Sequence, residues 1–348
     1  MKIVVANTHA PFITGGAEFL ASNLIKALKH AGHEVDFVNI PMIDIPIKSL
    51  EDQILAVRLL EIEKTIAGNS DLCIGLKFPA YYLKHSNKVA WVLHQYRGVY
   101  DHWGADFTYI HRDPEGERIR DVVHNADNLY LKESKRIYTI SKNVTGRMDK
   151  YNDIPSTPLY HPCPDMDSFY CNDYGDYILM PSRICVTKRQ MLAVEAMKHT
   201  KSDIKLYIVG KADEPDVYEK LKQFVCQCGL EDRVRFFDFV GHEEKLELYA
   251  NARAVMFIPS DEDYGYITLE GMSACKTILT AADSGGPLEF IENDKTGLVV
   301  SPDPVELAKA VDEVAGSKAY ARELGLAAKK HLADMNITWD NTVRELTK

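Results

Sequence analysis

Residues 257–275 read FIPSDEDYGYITLEGMSAC and pass from an apolar strand through an acidic loop into a helix. The strand is predicted at 254–258, and Pro259 ends it because proline cannot donate to a sheet. Gly265 lets the backbone turn closely just before a helix that is predicted to begin near Tyr266. The free N–H groups and the positive end of that helix would face the loop, which suits a phosphate group.

Two glutamates lie on either side of this predicted helix start. Glu262 lies in the loop, Glu270 lies about one turn into the helix, and Thr268 in the first turn could add a hydroxyl donor. Carboxylates accept hydrogen bonds from sugar hydroxyls and bind phosphate poorly. The stretch therefore predicts a site where a helix N-terminus holds a diphosphate while Glu262 and Glu270 reach hydroxyl groups at either end of the ligand.

Strands and helices alternate on both sides of this unit, in two series. Such alternation predicts mostly parallel sheets with helices on both faces. In the first series the strands are predicted at 2–6, 34–38, 71–75, 88–93 and 136–140, with helices at 16–31 and 50–67. In the second series they are predicted at 177–180, 204–210, 233–237, 254–258, 277–281 and 297–300, with helices near 188–199, 214–228, 243–251 and from 265.

The four prolines between positions 155 and 164 separate the two series, because proline is excluded from helix interiors and central strands. We expect an N-terminal domain at 1–165, a C-terminal domain at 166–335, and a final helix at 336–348 that packs back toward the N-terminal domain. The predicted fold class is α/β, with two doubly wound Rossmann-like domains. In such sheets ligands bind at the carboxyl ends of the strands, and paired domains form a cleft.

Composition excludes several classes of protein. The net charge is −10, most of it in the second half, so nucleic-acid binding is not expected. No apolar run is long enough for a transmembrane helix, and the N-terminus lacks the apolar region of a signal peptide. Seven cysteines without metal-type spacing predict reduced thiols and a cytoplasmic protein. The less acidic first half is the better candidate for contact with the inner face of a membrane.

Three separated segments resemble the retaining glycosyltransferases of family four, which have the GT-B fold. They are the segment with the E-x7-E spacing of Glu262 and Glu270 (259–302), MPSRICVTKRQMLAVEAM (180–197) and TGGAEFLASNLIKALKHAGHEV (14–35). They occur in the family's order, and the resemblance covers nearly the whole chain. It implies a GT-B protein with a nucleotide-sugar donor site on the C-terminal domain.

The resemblance also implies roles for individual residues. Arg183 and Lys188 would contact the diphosphate and stabilise it as it leaves, Glu262 would hold the donor sugar, and His94 would lie near that sugar. These four are the predicted catalytic residues. The donor-binding set adds Gly15, Gly16, Tyr264, Gly265, Tyr266, Ile267, Thr268 and Glu270. The acceptor-side candidates are His9, Glu18, Arg97, Tyr100 and Asp101.

Other sequence features are compatible with different sites or activities. Asp261-Glu262-Asp263 and Asp165-Met166-Asp167 both have a D-x-D pattern, which could bind a divalent cation. We expect Arg183 and Lys188 to neutralise the phosphates instead, so no metal and no cofactor is predicted. The Gly15-Gly16 pair is not part of a G-x-G-x-x-G fingerprint, so the sequence lacks the main evidence for a dehydrogenase.

The expected activity is retaining transfer of a hexose-type sugar from a nucleotide-diphosphate sugar. A UDP-sugar is favoured and GDP-mannose is next. The expected acceptor is a glycan, a lipid-linked molecule or a small molecule, in the synthesis of cell-surface polysaccharide or glycoconjugate, with peripheral membrane contact through the N-terminal domain as an option. The alternatives are a sugar-nucleotide epimerase of the GT-B fold and a non-catalytic subunit that binds sugar nucleotides.

Overall fold

The computed structural model describes residues 1–12, 15–66, 68–213 and 215–348. Thr14 of the segment 14–35, the first residue of the helix predicted at 214–228, and Ala67 at the end of the helix predicted at 50–67 lie outside these ranges. The chain divides into two compact units. The first unit is Met1–Pro164 with Ile337–Lys348, and the second unit is Asp165–Asn336.

The first unit is built on a six-stranded parallel sheet with the strand order β2-β1-β5-β6-β7-β8. β5 and β6 are buried along their whole length, as is typical of parallel strands with both faces covered. The strands are β1 (Lys2–His9), β2 (Glu34–Pro41), β3 (Lys64–Thr65), β4 (Gly68–Asn69), β5 (Leu72–Gly75), β6 (Lys88–Val92), β7 (Arg136–Thr139) and β8 (Thr157–Pro158), of which β3 and β4 form a separate small hairpin.

The helices of this part are α1 (Gly16–His30), α2 (Ser49–Leu59), α3 (Gly116–Tyr130) and α4 (Lys142–Asn152). α1 buries one stripe at helical spacing, which includes Leu20, Leu24 and Leu28. The prediction that the second helix continues to residue 67 was wrong beyond Leu59. The following stretch is rich in β-branched residues and forms the β3–β4 hairpin instead.

The second unit contains another six-stranded parallel sheet, in the order β11-β10-β9-β12-β13-β14. Its strands are β9 (Tyr177–Met180), β10 (Lys205–Val209), β11 (Val234–Phe237), β12 (Ala254–Met256), β13 (Thr277–Ala281) and β14 (Gly297–Val300). Its helices are α5 (Gln190–His199), α6 (Pro215–Gln227), α7 (His242–Asn251), α8 (Tyr266–Ser273), α9 (Pro304–Gly316) and α10 (Lys318–Asp334).

The chain ends in α11 (Trp339–Leu346), which packs within the first unit. Thr342 donates a hydrogen bond to the Tyr160 carbonyl at 3.0 Å, and the Tyr138 hydroxyl donates to the Glu345 carbonyl at 3.3 Å. None of the helices in the described ranges combines the length and the apolar character that a membrane span requires.

Candidate functional site

Three loops of the second unit interlock where β9, β12 and β13 end. The amide of Ser260 donates to the Thr187 carbonyl at 2.8 Å, which joins the loop after β12 to the loop after β9. The amide of Glu262 donates to the Ser284 carbonyl at 2.9 Å, and the amide of Gly286 donates to the Glu262 carbonyl at 2.8 Å. The backbone of Glu262 is therefore fixed by the loop after β13.

Lys188 and Glu262 meet between these loops. The Lys188 ammonium donates a hydrogen bond to the Glu262 carboxylate, and it also lies 5.2 Å above the centre of the Phe257 ring. The Lys188 side chain is 13% exposed and that of Glu262 is 25% exposed, so both remain accessible to a ligand. The structure thus brings together two of the residues that the sequence predicts as catalytic. An anion entering the site would compete with Glu262 for the ammonium.

Arg183, the other predicted phosphate cation, is exposed and forms two hydrogen bonds to Asp213 at 2.7 and 2.9 Å. A second arginine–aspartate pair in the second unit was not predicted. Arg189 contacts both oxygens of Asp283 at 2.7 Å, and its guanidinium holds the pKa of that carboxyl below the usual value. The partners in these two pairs are 30 and 94 residues apart, so no short motif identifies them.

The N-terminus of α8 follows Gly265, which has φ = +92°. A β-carbon at Gly265 would lie 2.9 Å from the Pro287 Cγ, so both the backbone and the packing require glycine there. Thr268 is fully buried, and its hydroxyl has no hydrogen-bond partner among the residues that the structure describes. The aromatic ring of Tyr264 packs edge-on against that of Tyr266. Ile267 lies half-buried in the same first turn of α8.

Glu270 is only 6% exposed, and both of its carboxylate oxygens accept hydrogen bonds. Lys245 donates at 2.7 Å and the Tyr249 hydroxyl donates at 2.5 Å, both from α7. Lys245 and Tyr249 are not among the predicted site residues. Their i, i+4 spacing places them on one face of α7, but this spacing is too common in helices to indicate a site. The predicted contact of Glu270 with a hydroxyl group of the ligand stays a prediction.

The acceptor-side candidates and His94, which is predicted to be catalytic, lie in the first unit. His94 follows the buried strand β6, and its Nδ1 lies 2.6 Å from the Gln95 carbonyl oxygen. Arg97 donates two hydrogen bonds to Asp101 at 2.5 and 2.9 Å, and Arg147 lies 3.6 Å from the same carboxylate. Burial raises the pKa of Asp101, but the hydrogen bonds from Arg97 and the positive charges of Arg97 and Arg147 together outweigh burial and leave the pKa below its usual value. These residues therefore form a small ionic cluster.

Tyr100 is buried in the core of the first unit. Its hydroxyl donates to Asp127 at 2.6 Å. The hydroxyls of Tyr81 and Tyr82 and the amide of Gln95 donate to the same carboxylate, at 3.1, 2.7 and 3.0 Å. Burial raises the pKa of Asp127, and the hydrogen bonds oppose this effect. The structure thus gives Tyr100 a place in a buried polar network, which the sequence analysis missed entirely.

The remaining candidates lie around the start of α1. His9 is the last residue of β1, Gly15 is the N-cap of α1, and Gly16 is its first residue. The carboxylate of Glu18 accepts a hydrogen bond from the Gly15 amide at 2.8 Å, so it stabilises the N-terminus of this helix. Within the four described ranges, no group of three or more histidine, cysteine, aspartate or glutamate side chains is arranged to hold a metal ion.

Comparisons with solved structures show the fold. Sucrose-phosphate synthase from Thermosynechococcus elongatus is similar with a TM-score of 0.80 and 17% identity, over 99% of this chain and 97% of that one. HepE from Anabaena, solved with UDP and glucose, has a TM-score of 0.69 and 15% identity, over 100% of this chain and 98% of that one. HepE was also solved with UDP-glucose. The chain has the GT-B fold, as predicted.

Sequence comparisons find a family model and several relatives that are similar to the second unit. Residues 171–331 match the family model described as "Glycosyl transferases group 1". Human alpha-1,3/1,6-mannosyltransferase ALG2 is 30% identical over 161 residues, and D-inositol 3-phosphate glycosyltransferase of Xylanimonas cellulosilytica is 27% identical over 165 residues. These alignments cover 42% and 47% of this chain, but only 38% and 39% of the relatives' own lengths. Residues 171–331, which are just under half of the chain, are thus similar to glycosyl transferases group 1.

Proposed function

We propose that the protein is a retaining glycosyltransferase that moves a hexose-type sugar from a nucleotide-diphosphate sugar to a glycan, lipid-linked or small-molecule acceptor. The observation that supports this best is the ion pair of Lys188 and Glu262, which lies beside the N-terminus of α8 within the segment that matches group 1. A cation, a helix N-terminus and a carboxylate are the groups needed for a diphosphate joined to a sugar.

The second unit would bind the donor. The diphosphate takes the Lys188 ammonium from Glu262 and lies at the N-terminus of α8, near the buried hydroxyl of Thr268. Arg183 turns from Asp213 toward the same phosphates. Each charge-assisted hydrogen bond contributes about 1.5–3 kcal/mol. Once Lys188 has moved, the carboxylate of Glu262 is released to accept hydrogen bonds from the donor sugar.

The transfer step needs no nucleophile from the protein. The bond between the anomeric carbon and the phosphate oxygen breaks, and the acceptor oxygen forms its bond on the same face of the sugar. The acceptor proton passes to the departing phosphate oxygen. Lys188 and Arg183 stabilise the charge that develops on the diphosphate, which is their catalytic role and replaces a metal ion.

Two comparisons guide the choice of donor. HepE was solved with UDP-glucose, which supports a UDP-sugar here. The alpha-1,3/1,6-mannosyltransferase relatives make GDP-mannose the second choice. We place the acceptor on the first unit and the protein in the cytoplasm, where its seven free cysteines stay reduced. The exposed apolar side chains of Ile43 and Ile45 in the first unit support peripheral contact with the inner face of a membrane.

The first test is a thermal-shift panel with UDP, GDP, ADP and dTDP, each with and without EDTA. A nucleotide at 100 times its dissociation constant should stabilise the protein by about 2.7 kcal/mol. We expect UDP to raise the melting temperature most, with no effect of EDTA. A shift that needs added Mg²⁺ would favour a metal site at the acidic loop, and no shift with any nucleotide would contradict the proposal. Product analysis by NMR, read at the anomeric proton, then tests retention.

A further inference from the structure

Arg189 and Asp283 join the loop after β9 to the loop after β13. The Nη1 and Nη2 atoms of Arg189 each donate to one carboxylate oxygen of Asp283, both at 2.7 Å, and the Arg189 side chain is only 21% exposed. Two parallel bonds between a guanidinium and a carboxylate fix orientation as well as distance. The pair therefore holds the two loops in one relative arrangement.

The backbone of Arg189 also indicates that this side chain has a role. Arg189 has φ = +59° and ψ = +39°, in the left-handed region, at the junction between the helical turn Val186–Lys188 and α5. A β-carbon makes this conformation unfavourable, whereas a glycine adopts it without that penalty. The fold nevertheless has a long, charged residue at this position, and its pair with Asp283 is a contact that offsets the penalty.

The pair lies next to Lys188 and Glu262 along the backbone. Lys188 directly precedes Arg189 in the chain. The Asp283 carbonyl accepts a hydrogen bond from the amide of Asp261 at 3.0 Å, and Asp261 directly precedes Glu262. Arg189 is thus linked to the loop that carries the lysine, and Asp283 is linked to the loop that carries the glutamate.

The loop after β13 also supports the start of α8. The Gly286 amide donates to the Glu262 carbonyl at 2.8 Å, and Pro287 packs so closely on Gly265 that a β-carbon there would lie 2.9 Å from the Pro287 Cγ. This loop is therefore a common support for Glu262 and for the N-terminus of α8. The bonds from Arg189 attach the loop that carries Lys188 to the same support.

We propose that Arg189 and Asp283 are positioning residues, whose pair fixes the Lys188 ammonium relative to Glu262 and the N-terminus of α8. They act through these groups and touch no atom of the donor. The inference rests on the proposed function, in which Lys188 and Glu262 bind the donor. Groups that are already held in place bind a ligand more tightly, because less ordering is required when the ligand arrives.

The test compares Arg189→Gln with Asp283→Asn, using calorimetry with UDP. If these residues acted only through their charge, the first change would weaken the binding of an anionic nucleotide and the second would strengthen it. If they position Lys188 as a pair, both changes weaken it. We expect each variant to raise the dissociation constant about five- to tenfold, and the double variant to bind no more weakly than the weaker single one. Arg189→Lys, which keeps the charge, should recover part of the affinity.

A second readout needs no nucleotide. Lys188→Met, Glu262→Gln and their double variant form a cycle, and its coupling free energy in urea unfolding, followed by circular dichroism, measures the ion pair. We expect this coupling to fall by half or more when the cycle is repeated with Arg189→Gln. The matched control is Arg58→Gln, because Arg58 makes two bonds to Glu133 in the first unit, at 2.7 and 2.9 Å, and is 14% exposed. This control should lose stability but keep both the coupling and the affinity for UDP.

The inference is overturned if Asp283→Asn binds UDP as tightly as the wild type or more tightly, or if the effects of the two single variants add in the double variant. It is also overturned if the coupling of Lys188 and Glu262 is the same with and without Arg189. An equal loss of affinity in Arg58→Gln would overturn it as well, because a general loss of stability would then explain both results. Failure of the proposed function is seen separately, since no nucleotide then binds to the wild type, and the coupling cycle still decides whether Arg189 positions the ion pair.

Discussion

Lys188 and Glu262 are 74 residues apart in the sequence, yet their side chains form an ion pair that joins the loop after β9 to the loop after β12. Both residues are predicted to act on the donor, and here each neutralises the other. A donor that binds to the ammonium must therefore displace the carboxylate. In the proposed function, this exchange would couple phosphate binding to the release of the Glu262 carboxylate, which could then accept hydrogen bonds from the donor sugar.

Lys188→Met should weaken the binding of UDP. The variant keeps the length of the side chain and removes one charge-assisted hydrogen bond to the diphosphate, which is worth about 1.5–3 kcal/mol. We expect the dissociation constant for UDP to rise about 10- to 100-fold, measured by isothermal titration calorimetry. Lys295→Met is the control, since Lys295 forms only an exposed pair with Glu292. Equal affinities of Lys188→Met and the wild type would exclude Lys188 from the phosphate site.

Glu262→Gln should lower the transfer rate without weakening the binding of UDP. The glutamine cannot hold the Lys188 ammonium as an ion pair, so the diphosphate meets less competition and UDP should bind as tightly as before or more tightly. The transfer rate with a nucleotide-sugar should fall about 10²–10³-fold, because a charged group that stabilises the transition state has been lost. Steady-state kinetics beside calorimetry with UDP checks both expectations. An unchanged turnover number would remove Glu262 from the mechanism.

Glu270→Gln should lower the free energy of unfolding of the second unit. Both oxygens of this buried carboxylate accept hydrogen bonds, from Lys245 and from Tyr249. The amide can accept on one side only, and it leaves the lysine without its counter-charge. We expect a loss of about 1–3 kcal/mol in urea unfolding followed by circular dichroism. The matched control is Glu247→Gln, on an exposed position of α7, which should change little. Equal losses in the two variants would contradict this role of Glu270.

The sequence predicted the fold class because the information for it is local. Apolar strands and amphipathic helices can each be recognised within a window of about ten to fifteen residues. Their alternation along the chain then indicates a parallel α/β sheet. The turn at Gly265 and the start of α8 at Tyr266 are local for the same reason. The predicted length of α2 was wrong. The segment after Leu59 continues the helical pattern only weakly and contains β-branched residues, and the helix ends before it.

Most of the contacts that shape the site could not be predicted in this way. The partners Arg189 and Asp283 come from loops 94 residues apart in the sequence, and Glu270 and Lys245 come from two different helices, 25 residues apart. Asp127 looked like an ordinary polar position of a helix, yet it is the centre of the buried network in the first unit. Such pairs depend on how the loops at the strand ends and the faces of the helices pack in three dimensions. A local sequence pattern does not predict this packing. Resemblance to a family, rather than spacing alone, placed Lys188 and Glu262 in one site.

His161 should make the first unit sensitive to acid. Its imidazole is buried, 5.4 Å from the ring centre of Trp91 and stacked 5.9 Å from that of Trp339 on α11, and its Nδ1 lies 3.2 Å from the Pro162 carbonyl oxygen. Burial lowers the pKa of His161 to about 3, against about 6.5 in the unfolded chain. Below pH 6.5 the unfolded chain therefore binds a proton that the folded state does not, and the free energy of unfolding falls as the pH drops from about 6.5 toward 3.

Between neutral pH and pH 5 this one group should reduce the free energy of unfolding by about 2 kcal/mol. His161→Phe cannot take up the proton, so the variant should lose less stability than the wild type over the same interval, whatever its stability at neutral pH. Urea unfolding followed by tryptophan fluorescence suits the measurement, because Trp91, Trp103 and Trp339 all belong to the first unit. His30→Phe, at an exposed position of α1, should keep the wild-type pH dependence. If His161→Phe kept it too, the acid sensitivity of the first unit would come from other titrating groups, and His161 would not be its cause.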